Sequence, residues 1–401
     1  MKISIPEKCS EIIGIIETSG FEAYAVGGCV RDSLLGITPA DWDITTNALP
    51  REVAEMFAPR GNFSVIPTGE RFGTVTVFCR AEKETYEVTT YRSDGEYSDG
   101  RRPDSVAFSD NIADDLCRRD FTVNSMAFNP ESGLIDRHNG QRHLREKTLC
   151  LVGAPSERLR EDGLRIVRAV RFAYKLKFGI EKRTAEAIEA AIKNGYLDRI
   201  SRERIYAELL QIIEHLHAGN EAQGLLERLL ENIIPELTEI NLDRIFNAPP
   251  DVAVRMTLLL CGVSVSAAGE ILGRLKFDNK TKKEILTLLE IADAASLAAT
   301  NECVKRTLNK TGKQTFARLL DVQSARGKET SGLRKVFDCV IAAGECYSLK
   351  DLAIGGGDLA ALGLCGKEIG RRLDACLEEV ISGGLPNDKV ALLEFINTKF
   401  S

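Results

Sequence analysis

The chain has 401 residues, 44% of them hydrophobic and 28% charged, the ordinary mix of a soluble globular protein of two or three domains. That composition excludes a disordered, collagen-like or disulfide-scaffolded chain. Lysine plus arginine number 53 and aspartate plus glutamate 59, giving a net charge of −6. A mildly acidic total argues against indiscriminate coating of long nucleic acid but leaves room for a local basic groove. The first 20 residues lack the apolar core of a secretory signal, and the most apolar stretch, 256–263, is far short of the roughly 20 residues that span a bilayer. No membrane partner is expected. The 11 cysteines are scattered, without Cys-x-x-Cys spacing and without clustering on the four histidines. This predicts reduced thiols in a cytoplasmic protein and no soft-metal site.

In chain order, the first third reads as mixed α/β. Helical spacing of Ile and Cys over 9–18 predicts a helix, and 24–26 a short strand ending at Gly27-Gly28. Residues 30–35 resume a helical pattern closed by Gly36, and 43–45 form a strand. Pro50 opens a helix through Phe57, with proline where its missing N–H costs nothing. Residues 74–78 and 85–91 alternate apolar and polar, as paired strands do. The segment 93–103, with two glycines and five charged residues, is expected to be a mobile loop. From about Leu159 strand signals fade, and 164–174, 184–192, 205–216 and 222–230 all show helical periodicity. The remainder is mostly helical. Six glycines within 351–370 predict a tight turn between two helices.

Chemistry concentrates in the first 175 residues. Gly27-Gly28-Cys29-Val30-Arg31-Asp32 joins a predicted strand to a predicted helix. Glycines there let backbone N–H groups approach an anion at a helix start, although a plain strand-to-helix turn needs glycine too. Arg31 adds a phosphate clamp. Nine residues after Asp32 comes Asp41-Trp42-Asp43, whose carboxylates converge if the segment is extended. Such a pair needs a counter-ion, and Mg²⁺ suits it, preferring carboxylate and phosphate oxygens; two surface acids on a loop are the plain alternative. Between Arg158 and Arg183 stand nine Lys or Arg and three acids, with Asp162, Arg165, Arg168 and Arg171 recurring every three residues. The surplus of arginine over Asp162 suits phosphate or base recognition better than an intrahelical salt bridge on a solvated face.

These motifs resemble those of a known family. Gly28-x-x-Arg31-Asp32 followed by Asp41-x-Asp43 is similar to motif A of the nucleotidyltransferase superfamily. Arg118-Arg119-Asp120-Phe121-Thr122-Val123-Asn124 resembles motif B of its class II tRNA nucleotidyltransferases and bacterial poly(A) polymerases. Residues 129–137, with Gly133 and Asp136, resemble their hinge motif, and Arg160-Glu161-Asp162-Gly163-Leu164-Arg165 their Glu-Asp-x-x-Arg motif. The resemblance implies that Asp41 and Asp43 bind catalytic Mg²⁺ and that Gly28 and Arg31 contact the triphosphate. It also implies that Arg119, Asp162, Arg165, Arg168 and Arg171 contact the nucleotide. A third carboxylate often comes from a neighbouring strand in the superfamily, and Glu87 is a candidate.

The expected architecture is an α/β nucleotidyltransferase head with a mixed sheet (1–147), followed by an all-helical neck (148–210), body (211–305) and tail (306–401), the tail a candidate for tRNA binding. The expected activity is addition of CCA to the tRNA 3′ end from CTP and ATP, with release of pyrophosphate. Poly(A) polymerase shares the head, but the acidic total and the absence of a long basic tail disfavour a grip on arbitrary RNA. Enzymes adding only A or only CC are further alternatives, and the 93–103 loop, with Arg101-Arg102, argues against a CC-only enzyme. A catalytically inactive RNA-binding protein is disfavoured by the intact Asp41 and Asp43.

Overall fold

The computed structural model describes residues 3–67, 69–94, 106–292 and 297–400. The chain forms two compact units: residues 1–215 with 219–235, and residues 216–218 with 236–401. The division falls inside the 211–305 segment.

The first unit opens with α1 (Glu7–Thr18), which buries Cys9, Ile12, Ile13 and Ile16 at the spacing of one helical face. There follow β1 (Ala23–Val26), α2 (Gly28–Leu34), β2 (Asp43–Thr46), α3 (Pro50–Phe57), β3 (Phe63–Ile66), β4 (Thr74–Cys79) and β5 (Glu84–Thr90). Next come β6 (Arg92–Asp94), β7 (Val106–Phe108), α4 (Ile112–Cys117), β8 (Met126–Asn129), β9 (Gly133–Asp136) and α5 (Gly140–Arg145). Seven strands make one sheet in the order β3-β4-β5-β2-β1-β8-β9. Within it β2 and β5 run parallel, pairing Asp43 with Glu87, and the other neighbours are antiparallel. Strand β4 buries Val75, Val77 and Cys79 on one face, as its alternation predicts. Strands β6 and β7 form a separate ribbon, so Ser93 and Asp94 are strand rather than loop. Residues 95–103 of the expected loop lie outside the described residues.

The same unit continues through β10 (Thr148–Leu149), α6 (Pro155–Glu161), α7 (Leu164–Leu176), β11 (Gly179–Ile180), α8 (Lys182–Lys193), α9 (Arg202–His215) and α10 (Gln223–Ile233). Helix α7 is buried almost all round, Arg165 and Arg171 included, and packs chiefly against α9. The parallel pair β10–β11 ties the entry to this helical segment to the end of α7.

The second unit is helical: α11 (Leu242–Phe246), α12 (Val252–Leu259), α13 (Val265–Arg274), α14 (Asn279–Ala292), α15 (Asn301–Ala325), α16 (Ser331–Ala342), α17 (Gly356–Ala361), α18 (Lys367–Ser382) and α19 (Lys389–Lys399). Helix α12 is its most buried element, and α15 is kinked at Gly312. Leu359, Cys376, Leu377, Leu392 and Ile396 centre a core of their own near the chain end. The 351–370 segment is more than a turn. It contains α17, where Asp358 accepts from the Gly355 N–H at 2.8 Å and Leu359 is fully buried, before Gly366, at φ 57°, leads into α18. No helix among the described residues is long and apolar enough to cross a membrane.

Candidate active site

The strand-to-helix turn after β1 carries the first group. Gly27 sits at φ 84°, ψ −127°, a region closed to residues with a Cβ, and a Cβ there would lie 2.8 Å from Arg119 Nη1. Arg31, on the first turns of α2, is buried and lies along the turn, with Nη2 3.7 Å from where a Gly28 Cβ would stand. Its Nη1 donates to Asn124 Oδ1 at 2.6 Å and its Nε to Asp32 Oδ1 at 2.7 Å.

Asp43 begins β2, whereas Asp41 precedes the strand and is exposed. The two carboxylates interact all the same. Burial first, then the charges of Asp41 and Glu87, push the Asp43 carboxyl up to about 6, while Arg119 pulls it down. Glu87 is therefore brought beside Asp43 by the parallel β2–β5 register. Among the described residues no three potential ligands close on one point at ligating distance. The donor set is all oxygen, with mutual repulsion that a bound cation would relieve, and this fits a hard divalent ion.

The arginine stripe differs from a single helical row. Asp162 is not in a helix: at φ −140°, ψ 103° it links α6 to α7. Its Oδ1 accepts from the Leu164 N–H at 3.0 Å and its Oδ2 from Arg204 at 2.8 Å. Arg165 pairs instead with Glu161 at 2.7 Å and donates to the carbonyls of Arg158 and Arg118 at 2.7 and 3.1 Å. Arg168 grips Asp120 Oδ2 through Nε and Nη2 at 2.9 and 2.5 Å, with Glu208 3.5 Å from its Nη1. Arg171 meets Glu208 at 2.8 Å and Gln211 at 2.8 Å. Asp120 also accepts from Asn124, the residue that holds Arg31. The guanidinium carbons of Arg31, Arg168 and Arg171 stand 5.1, 5.4 and 4.2 Å from the Phe172 ring centre.

Gly28, Arg31, Asp41, Asp43 and Arg119 thus gather at the β1–β2 end of the sheet, and one chain of polar contacts leads from Arg31 to Arg171. Sequence reasoning assigned no role to Asp115, Phe172, Arg204 or Glu208. Asp115 had a signal in its spacing of three and four residues from Arg118 and Arg119. Phe172 had one in its spacing of four residues from Arg168, whereas Arg204 and Glu208 are remote in sequence from what they touch.

Comparison with known proteins follows the same layout. Residues 23–150 match the model of the poly A polymerase head domain, 177–241 that of the RNA and SrmB-binding site of polymerase A, and 251–396 that of tRNA nucleotidyltransferase domain 2. A CCA-adding enzyme of Listeria monocytogenes is 36% identical over 387 residues, covering 95% of this chain and 94% of the relative. One from Lactobacillus helveticus is 33% identical over 397 residues, covering 97% and 96%. The crystal structure of the Bacillus stearothermophilus CCA-adding enzyme in complex with CTP superposes with a TM-score of 0.78 at 30% identity over 98% of each chain. The Thermotoga maritima enzyme complexed with tRNA shares the fold, with a TM-score of 0.70 at 22% identity over 99% of this chain and 97% of that one.

Proposed function

This chain belongs to the family of CCA-adding enzymes, and from that membership we propose how its own residues add C, C and A to the 3′ end of tRNA from CTP and ATP. The observation that carries the reading is the gathering of Asp41, Asp43 and Arg119 around the Gly27-Gly28 turn.

The turn's backbone N–H groups, Arg31 and Arg119 bind the triphosphate, turning the α-phosphorus toward the incoming tRNA end. The tRNA 3′-hydroxyl attacks that phosphorus in line, its bond to phosphorus forming as the bond to the leaving pyrophosphate breaks. Asp41 and Asp43 hold Mg²⁺, which when bound supplies Lewis acidity and charge neutralisation at the reacting oxygens. Asp162 and Arg165 read the Watson–Crick edge of the base, and Arg168 and Arg171 support the same pocket from α7. The helical tail, 306–401, holds the tRNA body, and cysteines present as thiols rather than disulfides support a cytoplasmic setting.

Replacement of either Asp41 or Asp43 by Ala tests the catalytic assignment. Both variants should keep the wild-type melting profile and lose nucleotide incorporation. Substantial turnover with Mg²⁺ by either one would remove the metal-binding assignment.

A further inference from the structure

We propose that Asp115 is the positioning residue that aims Arg119 at the triphosphate. The proposal rests on the reading of Arg119 as a nucleotide-contacting residue.

Asp115 is fully buried on α4, and each of its oxygens is taken by one arginine. Arg118 donates Nε and Nη2 to Oδ1 at 3.0 and 2.6 Å, and Arg119 donates Nε and Nη2 to Oδ2 at 3.3 and 2.9 Å. Both guanidinium groups are therefore gripped by the same edge, leaving Nη1 on the far side. For Arg119 that free Nη1 is the atom standing over Gly27. A charge-assisted grip on one edge fixes the plane of a guanidinium, and hence the direction of its remaining donors.

The acid is itself fixed relative to the turn. Ile112 and Leu116 of α4 pack in one apolar cluster with Val26, the residue before Gly27, and with Ala127 and Tyr91. The Leu116 carbonyl accepts from Ser125 Oγ at 2.8 Å. Burial opposes ionisation of Asp115, but the charges of Arg119 and Arg118 hold its carboxyl below the usual carboxylate range. Two adjacent arginines without this acid would repel each other and swing toward solvent. Asparagine at 115 keeps one acceptor oxygen but turns an N–H₂ toward the other guanidinium, so it can hold only one of the two.

The experiment measures equilibrium binding of CTP, inorganic tripolyphosphate and cytidine to the full chain at fixed Mg²⁺, for wild type, Asp115→Asn, Asp115→Glu and Arg119→Ala. Asp115→Asn is expected to weaken CTP and tripolyphosphate at least tenfold and to change cytidine less than twofold. Asp115→Glu retains the buried charge and shifts the guanidinium by one methylene, so it weakens CTP in the same selective way, about threefold. Should the Asn variant not fold, the Glu variant carries the test. Unchanged CTP affinity in a folded Asp115 variant, or equal losses for CTP and cytidine, would overturn the positioning role while leaving the reading of Arg119 intact. Unchanged CTP affinity in Arg119→Ala would overturn both.

Discussion

At the scale of single residues, the proposed base choice without a nucleic-acid template rests on one acid and one arginine. Cytosine and adenine each present an amino donor beside an unprotonated ring nitrogen, whereas uracil and guanine present a carbonyl beside an N–H. Asp162 keeps acceptor capacity after its bonds to the Leu164 N–H and Arg204, since each carboxylate oxygen accepts more than one donor. Each mismatch against Asp162 and Arg165 leaves a desolvated polar group unpaired, at a cost of about 1–3 kcal/mol. Asp162→Ala should therefore let UTP or GTP compete, and Arg165→Ala should weaken CTP and ATP together. Measured kcat/KM for all four nucleotides decides this, and a preserved preference for C and A over U and G would sink the base-reading role. Gly27 offers a second residue-level test. Alanine there meets a glycine-only backbone conformation, costing about 1–3 kcal/mol, and drives its Cβ into Arg119. Gly27→Ala should cost more than tenfold in CTP affinity, whereas Gly28→Ala, whose Cβ would make only an ordinary contact with Arg31 Nη2 at 3.7 Å, should cost far less. Comparable losses in both would show that the turn is not a close cradle. The acids and arginines of the motifs were legible in the sequence because their spacing is local. Their partners were not, because Asp120 and Glu208 reach Arg168 from other elements.

At the scale of elements, the helix that carries the arginine stripe is a buried strut rather than a solvated face. Local counting of charges over 158–183 found a surplus of arginines, but α7 meets acids contributed by the motif B segment and by α9. The Asp120–Arg168 pair is one of the ties between the motif B segment and this helix. Burial would raise the Asp120 carboxyl, but Arg168, Asn124 and the Phe121 N–H hold it at about 2, below its ordinary 3.8. A depressed carboxylate contributes stability that is fully present above the ordinary value and is lost as pH falls through 3.8 toward 2. The shift corresponds to about 2 kcal/mol. Urea unfolding of wild type should therefore lose about that much more stability between pH 5 and pH 2.5 than unfolding of Asp120→Asn, which lacks the titrating group. Parallel loss in both proteins would remove this pair as a source of stability. Strand type was readable from alternation for β4 and β5, and the start of α3 from Pro50. The start of β2 at Asp43 was readable as well, whereas the position of Asp41 outside the strand was not, since Asp-x-Asp fits either an extended loop or a strand.

At the scale of the whole molecule, the change from mixed α/β to all-helical structure was visible where alternation gives way to helical spacing near Leu159. The division of the chain at Pro235 and Glu236 was not, because no run of glycine, serine or charge marks it. The apolar core near the chain end was hidden for a related reason. Its members, from Cys346 to Ile396, are spread over a non-helical stretch and three helices, so no single segment looks like a core. The acidic total now has a structural reading: the arginines of the site are balanced by buried acids, so a grip on phosphate must come from specific geometry rather than from bulk charge. That geometry is what the central claim requires, an enzyme that completes one defined RNA end and then stops. The most direct measurement incubates the protein with tRNAs lacking the whole CCA end, lacking only the final A, or complete, each with CTP, ATP or both, and sequences the 3′ ends. The account predicts CC from CTP alone on the first tRNA, a single A from ATP on the second, full CCA with both nucleotides, and no extension of the complete tRNA. Runs of adenosine on any of these substrates, or termination at CC with both nucleotides present, would contradict it.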